Sequence, residues 1–202
     1  MTQPFALDTN AYALLFQHPK TDAYYNLEKK IKSGDTLSFF IPEIVAMEIH
    51  SVLGKYRRGG VNAQKEACTR NILNEDKHVP CSNICVTNPR PRMNPKVYKA
   101  LQKLMKDIEG KSGSIQADLL PLGTSEMSEG KKLLMQLSHR FAFGSHDALV
   151  AGTVIAAAAN GLNLTLVTSD KSLKAVCSKE GIPFFDPLIQ IPTETIEQAE
   201  AS

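Results

Sequence analysis

The feature that most constrains the fold is an alternation of short apolar runs with stretches whose apolar residues recur at helical spacing. Phe5-Ala6-Leu7 ends in Asp8-Thr9-Asn10, after which Ala11, Leu14 and Leu15 follow a helical period. A helix is expected over Asp22 to Lys32 and a β-rich run over Leu37 to Ile41. Pro42, suited to the first position of a helix, then opens one that reaches about Arg58. The pattern resumes late in the chain. Asp118 to Leu122 reads as strand, Ser125 to Arg140 as helix, Ser145 to Asn160 as a largely apolar helix and Leu164 to Val167 as a buried strand. Lys171 to Glu180 is then helix, and Ile182 to Phe185 a last strand. Strands that alternate with helices predict an α/β fold: a mainly parallel sheet with helices on both faces.

At 202 residues the chain is long enough for one such domain with an insertion, and short for two. The expected organisation is a domain over 1–190, a helical insertion at about 59–113 and a polar tail at 191–202. The insertion holds polar stretches read as helical and an amphipathic helix from about Pro95 to Ile108. That helix has an apolar face of Val97, Leu101, Leu104, Met105 and Ile108, and a basic face of Lys96, Lys99, Lys103 and Lys106. The basic face is open to two readings, ordinary solvation or contact with RNA phosphates.

A net charge of +2 does not mark a nucleic-acid binder by itself. The amino terminus carries no export-type pattern, and the longest apolar run, Ala148 to Ala159, is too short to span a bilayer, so the expected location is the cytoplasm. Four cysteines should then stay reduced. His78, Cys81 and Cys85, with Cys68 upstream, have spacings a zinc site could use, but lack the usual paired short cysteine spacings.

In an open parallel sheet, ligands bind at the carboxyl ends of the strands, which directs attention to acidic residues just after strands. Asp8 and Asp170 hold that position. Each also has the ordinary role of capping the helix that follows. Asp147 falls in the first turn of the apolar helix, behind a helix entry at Gly144-Ser145 with Ser145 as the expected N-cap, where the helix dipole favours a carboxylate. A fourth comes from the helix after Pro42. At about 100° per residue, Glu48 borders the stripe of Val45, Ile49, Val52, Leu53 and Tyr56, whereas Glu43 points to the opposite side. Four carboxylates gathered in one crevice repel each other and call for a cation. Oxygen-only ligation suits Mg²⁺ or Mn²⁺ rather than zinc.

Leu7-Asp8-Thr9-Asn10, Glu48 within Pro42 to Ile49, Ser145-His146-Asp147-Ala148-Leu149-Val150-Ala151 and Leu166-Val167-Thr168-Ser169-Asp170 occur here in the order and spacing of a known family. The chain resembles PIN-domain proteins, particularly the VapC toxin-like ribonucleases, over roughly residues 5–58 and 117–188. The resemblance implies a PIN-like fold and metal-dependent cleavage of RNA by Asp8, Glu48, Asp147 and Asp170, with Thr9, Asn10 and Thr168 supporting. Where the family commonly has a further acidic residue two places after Asp170, this chain has Ser172, which bears on a second metal ion. His146 is set aside as an ordinary residue at a helix start. Expected partners are single-stranded RNA and an antitoxin protein, with no membrane, and the apolar face of the Pro95 to Ile108 helix has to pack either on this domain or on a second copy of the chain. Two alternatives stand beside this reading. One is an inactive PIN fold that binds RNA or protein. The other is a haloacid-dehalogenase-like phosphatase, which needs a second Asp where this chain has Asn10.

Overall fold

The computed structural model describes residues 4–60, 64–67, 71–74, 77–80, 84–87 and 91–189. The chain falls into two compact units, Met1–Ile49 with Lys103–Ser202, and His50–Gln102.

The first unit is built on a six-stranded sheet. Its strands are β1 (Phe5–Leu7), β2 (Lys32–Ser33), β3 (Thr36–Pro42), β8 (Ile115–Leu120), β9 (Thr165–Val167) and β10 (Phe184–Phe185). The order β10-β9-β1-β3 is parallel throughout, and β8 joins β3 in parallel from Leu37↔Ile115 to Pro42↔Leu120. Only β2 runs antiparallel, as a short hairpin on β3 through Gly34, whose φ of +60° suits a residue without a Cβ. The helices between these strands are α1 (Thr9–Leu14), α2 (Asp22–Ile31), α3 (Glu43–Arg58), α4 (Pro95–Glu109), α5 (Thr124–Leu137), α6 (Ser145–Ala159) and α7 (Lys171–Glu180). This is the α/β architecture expected from the alternation.

Strands covered on both faces should be apolar at consecutive positions, and Leu164, Leu166 and Val167 of the β9 segment are buried without alternation, as are Ala6 and Leu7 of β1. Helix α6 buries Ala148, Val150, Ala151, Gly152, Thr153, Val154 and Ala156. Its side chains are small because α5 lies against it at backbone distance. A Cβ added at Gly152 would stand 2.6 Å from the Gly130 nitrogen and 2.8 Å from the Glu126 carbonyl oxygen. The pair Gly130 and Gly152 therefore sets how close these helices come.

The insertion differs from its expected form. In place of the expected polar helical stretches, the second unit carries β4 (Gln64–Ala67), β5 (Asn71–Asn74), β6 (Lys77–Pro80) and β7 (Ile84–Thr87). β4 pairs antiparallel with β7, and β5 with β6. Ile84, Val86 and Thr87 are β-branched and favour this outcome, and strand pairing overrides the high helical propensity of Gln64-Lys65-Glu66-Ala67. The unit also ends earlier than 113. Met105 and Ile108, in the second half of α4, are fully buried and belong to the first unit, while Leu101 and Leu104 are half-buried and Val97 is exposed. Of the zinc candidates, His78 and Cys85 fall in β6 and β7, while Cys68 and Cys81 lie outside the described residues, as does the tail from 190. Among the described residues, no helix is long and apolar enough to cross a membrane.

Candidate active site

Asp8, Thr9, Asn10, Glu48, His146, Asp147, Val150, Asp170 and Leu173 line one small cavity of about 120 Å³, at the carboxyl end of β1 and β9. The structure thus brings together all four candidate carboxylates, each from a different connection or helix. Lys103 and Lys106, in the same unit, do not line the cavity. Lys96 and Lys99 stand in the other unit, and all four lysines are exposed.

Three of the carboxylates are also helix caps. Asp8 Oδ1 accepts from the Ala11 N–H at 2.7 Å and opens α1; Asp170 Oδ1 accepts from the Leu173 N–H at 2.8 Å and opens α7. At α6 the N-cap is Gly144 rather than the expected Ser145. Gly144 has no side chain to offer, so the cap runs one way, from its backbone N–H to Asp147 Oδ2 at 3.1 Å. Capping and a functional role are compatible, because a carboxylate can accept at about four lone-pair positions and each cap uses one. The caps fix where these side chains point.

Glu48 reaches the cavity from the middle of α3, and Glu43, one and a half turns earlier, is exposed and accepts from the Leu122 N–H at 2.9 Å. Of the stripe that sets this register, Val45, Ile49 and Leu53 are buried, whereas Tyr56 is 43% exposed. The Thr9 hydroxyl donates to Glu48 Oε2. His146 Nε2 lies 2.9 Å from the same oxygen, an ionic contact that does not meet hydrogen-bond geometry, and its Nδ1 is 3.9 Å from Asp147 Oδ1. The imidazole is held above its ordinary value, chiefly by the Asp147 carboxylate beside it and also by the charge of Glu48, with burial opposing. Asp147 is drawn down in return, first by His146. An ordinary helix-start residue by sequence, His146 stands between two of the carboxylates. Its place next to Asp147 in sequence does not signal this, because adjacent helical residues point about 100° apart; the approach of Glu48 from α3 gives it its role.

Asp8 is 4% exposed. Burial pushes its carboxyl up to about 6; hydrogen bonds from Ala11 and Thr168 oppose the rise, and the like charge of Asp170 adds to it. Thr168, fully buried, serves both aspartates, because its hydroxyl also accepts from the Asp170 N–H at 3.1 Å. Asn10 sits exposed on the cavity rim. Among the described residues lining the cavity there is no Lys or Arg. Among the described residues as a whole, no three His, Cys, Asp or Glu side chains are gathered closely enough to hold a metal ion as they stand.

One further aspartate at this end of the sheet also follows an expected strand, Ile182 to Phe185, but is not among the four candidates. Asp186 directly follows β10, is 7% exposed, accepts from Ser169 Oγ at 2.8 Å and from the Leu188 N–H at 3.0 Å, and pairs with Lys174 Nζ. Burial opposes its ionisation, but Lys174 and Ser169 outweigh it and hold the carboxyl below its ordinary value.

Neither a protein-family model nor a curated protein matches the sequence. Among solved structures, the crystal structure of FitAcB from Neisseria gonorrhoeae is similar, with a TM-score of 0.55 at 13% identity, covering 91% of this chain and 97% of that chain. At that identity the likeness is one of fold, and the fold of this chain is α/β and PIN-like, a mainly parallel sheet flanked by helices with the acidic cavity at its carboxyl end.

Proposed function

We propose that this chain is a metal-dependent endoribonuclease that hydrolyses phosphodiester bonds in single-stranded RNA, acting in the cytoplasm as the toxin of a toxin–antitoxin pair. The observation that carries the reading is the convergence of Asp8, Glu48, Asp147 and Asp170 on one cavity without a lysine or arginine among its described lining residues. An antitoxin protein and a second copy of the chain are the protein partners that go with it.

The donor set suits Mg²⁺ or Mn²⁺. All four carboxylates are oxygen donors, and Asp8, pushed up to about 6 chiefly by burial with the like charge of Asp170 adding to the rise, would be relieved by a cation. A cavity of about 120 Å³ has room for a cation with a few waters, at roughly 30 Å³ of liquid volume per water. Mg²⁺ typically takes only one or two carboxylates directly and keeps its waters, so a tight three-ligand cluster is not required. Asp8 and Asp170 would hold the ion, with Asp147 and Glu48 as further acceptors directly or through water. When bound, it supplies a counter-charge for the phosphate oxygens and makes water more acidic.

The chain's own groups do the rest. Glu48 Oε2, fixed by Thr9 Oγ1 and beside His146 Nε2, is placed to take a proton from the attacking water. His146 lies against Glu48 and holds the Asp147 carboxyl below its ordinary value. Thr168 holds Asp8 and Asp170 in register with each other. Val150 and Leu173 give the cavity an apolar wall that limits water around the carboxylates. The exposed Lys96, Lys99, Lys103 and Lys106 offer contacts to RNA phosphates that carry no sequence information.

The test is cleavage of a single-stranded RNA pool by the purified chain with Mg²⁺ or Mn²⁺, repeated in excess chelator. Cleavage that stops with chelation and returns with metal supports the reading; cleavage that persists in chelator sinks the metal mechanism. One observation favours a second reading, an inactive PIN fold that binds RNA or protein. Glu48 is engaged by Thr9 and His146, and among the described residues no three-ligand group is formed. Absence of metal uptake together with absence of cleavage would decide for it.

A further inference from the structure

A second, larger cavity of about 520 Å³ adjoins the acidic one and shares Asn10 and Asp170 with it. One wall is a face of α1 and the turn after it, where Asn10, Ala13, Leu14 and Gln17 follow at helical spacing. The other is the β9 to α7 junction, Ser169 to Lys171, with Leu188. Its size is within the roughly 300–1,000 Å³ range of small-ligand sites. The chemistry of the walls is distinctive. Asn10 and Gln17 each present an amide that can donate and accept at once, Leu14 and Leu188 are apolar, and Lys171 is the cation among the described lining residues.

We propose that this groove is the subsite for the nucleotide flanking the scissile phosphate, taking one unpaired base of a single-stranded RNA. The inference rests on the nuclease reading for its orientation, because the groove begins at Asp170, where the reacting phosphate would lie. A base has an apolar face and a polar edge. The 66% exposed Leu188 and half-buried Ala13 offer the surface for the face, while Asn10, within α1, and Gln17, just past its end, are both exposed and line the same groove to read the edge. Lys171 Nζ meets the next phosphate as a point charge that does not discriminate between bases. A duplex would keep its bases stacked and paired and could not enter. Base preference at one position beside the cut is therefore set by Gln17, and affinity by Lys171.

The experiment uses the full chain in two readouts. Fluorescence anisotropy in chelator, where no metal-dependent cleavage proceeds, measures binding of labelled pentaribonucleotides of A, C, G and U, with an RNA duplex as competitor. Cut-site mapping on a randomised RNA pool with Mg²⁺ measures preference. For wild type, one homopolymer should bind several-fold tighter than the others, and the duplex should not compete. Gln17→Ala should level the four affinities and remove the preference at one position beside the cut. Lys171→Ala should weaken all four alike and flatten the salt dependence. A Gln17→Ala variant with unchanged base preference, or a Lys171→Ala variant with unchanged salt dependence, overturns the subsite while leaving any metal-dependent cleavage in place. Base-selective binding that depends on Gln17 without cleavage upholds base recognition in the groove and removes the nuclease reading, and with it the groove's place beside a cut. Neither binding nor cleavage removes both.

Discussion

Asp8 and Asp186 make an instructive pair. Each follows a strand of the same parallel sheet, each is almost inaccessible to solvent, and each accepts a backbone N–H two or three residues on. They differ in what faces them. Asp186 has the Lys174 ammonium and is held below its ordinary value, whereas Asp8 is pushed up to about 6, first by burial and further by the like charge of Asp170. A buried carboxylate with a fixed cation of its own is a structural element. One facing another carboxylate is a standing electrostatic cost, which binding of an external cation would relieve.

The largest expected effect is on the unpaired member. Asp8→Asn removes a ligand charge and keeps a carbonyl oxygen for the cap, so cleavage should fall by roughly three orders of magnitude, the equivalent of about 4 kcal/mol of transition-state stabilisation. In the same variant the metal-free protein should melt higher than wild type at neutral pH. Lower melting would mean that Asp8 is no longer the strained partner, and the comparison would fail.

Asp186→Asn should act in the opposite sense, lowering stability by about 1–3 kcal/mol through the lost charge on Lys174 while leaving cleavage of the same order as wild type. The pH dependence separates the two more sharply. Asp8 binds its proton more tightly folded than unfolded, so the metal-free protein should lose stability as pH rises from about 3.8 to about 6, by up to about 3 kcal/mol. Asp186 has a lowered folded value, so its contribution is present above about 3.8 and lost as pH falls. Denaturation curves across that range should show the first slope vanish in Asp8→Asn and the second weaken in Asp186→Asn.

The smallest effects concern the two glutamates of α3. Glu48→Gln should lower cleavage by about 10²-fold, within the usual range for a positioned acid–base group, with little change in melting. Glu43→Gln should alter cleavage scarcely at all and stability by less than about 0.5 kcal/mol, as for an exposed site. Equal losses of cleavage in the two variants would show that α3 is turned differently about its axis.

Much of this arrangement is legible in the amino-acid sequence, for reasons that vary along the chain. Strands β1 and β9 are buried at consecutive positions, and β3, though Ser38 is exposed, carries Leu37 and Phe39 to Ile41, so apolar runs mark all three, and the aspartates after β1 and β9 stand out against that background. The side of α3 that carries Glu48 follows from helical geometry alone. Asp186 carries the same sequence signal as Asp8 and Asp170, because it directly follows the expected last strand; what the sequence does not show is that Lys174, on another element, supplies its charge partner. His146 looks ordinary because its importance depends on α3 and α6 meeting. The strands from 64 to 87 are short and partly polar, and their signal is pairing across the chain, which local composition does not carry. Gly130 and Gly152 are unremarkable as letters; only the closeness of two helix backbones gives them meaning.

Because three of the cavity's carboxylates double as helix caps, this site has an unusual failure mode. An aspartate codon becomes an asparagine codon by a single-base change, and asparagine caps helices about as well as aspartate. A lineage could thus disarm the chemistry at Asp8 or Asp170 in one step while the fold persists, or even gains stability. An armed enzyme and a harmless scaffold would be adjacent in sequence space, and selection alone would keep them apart.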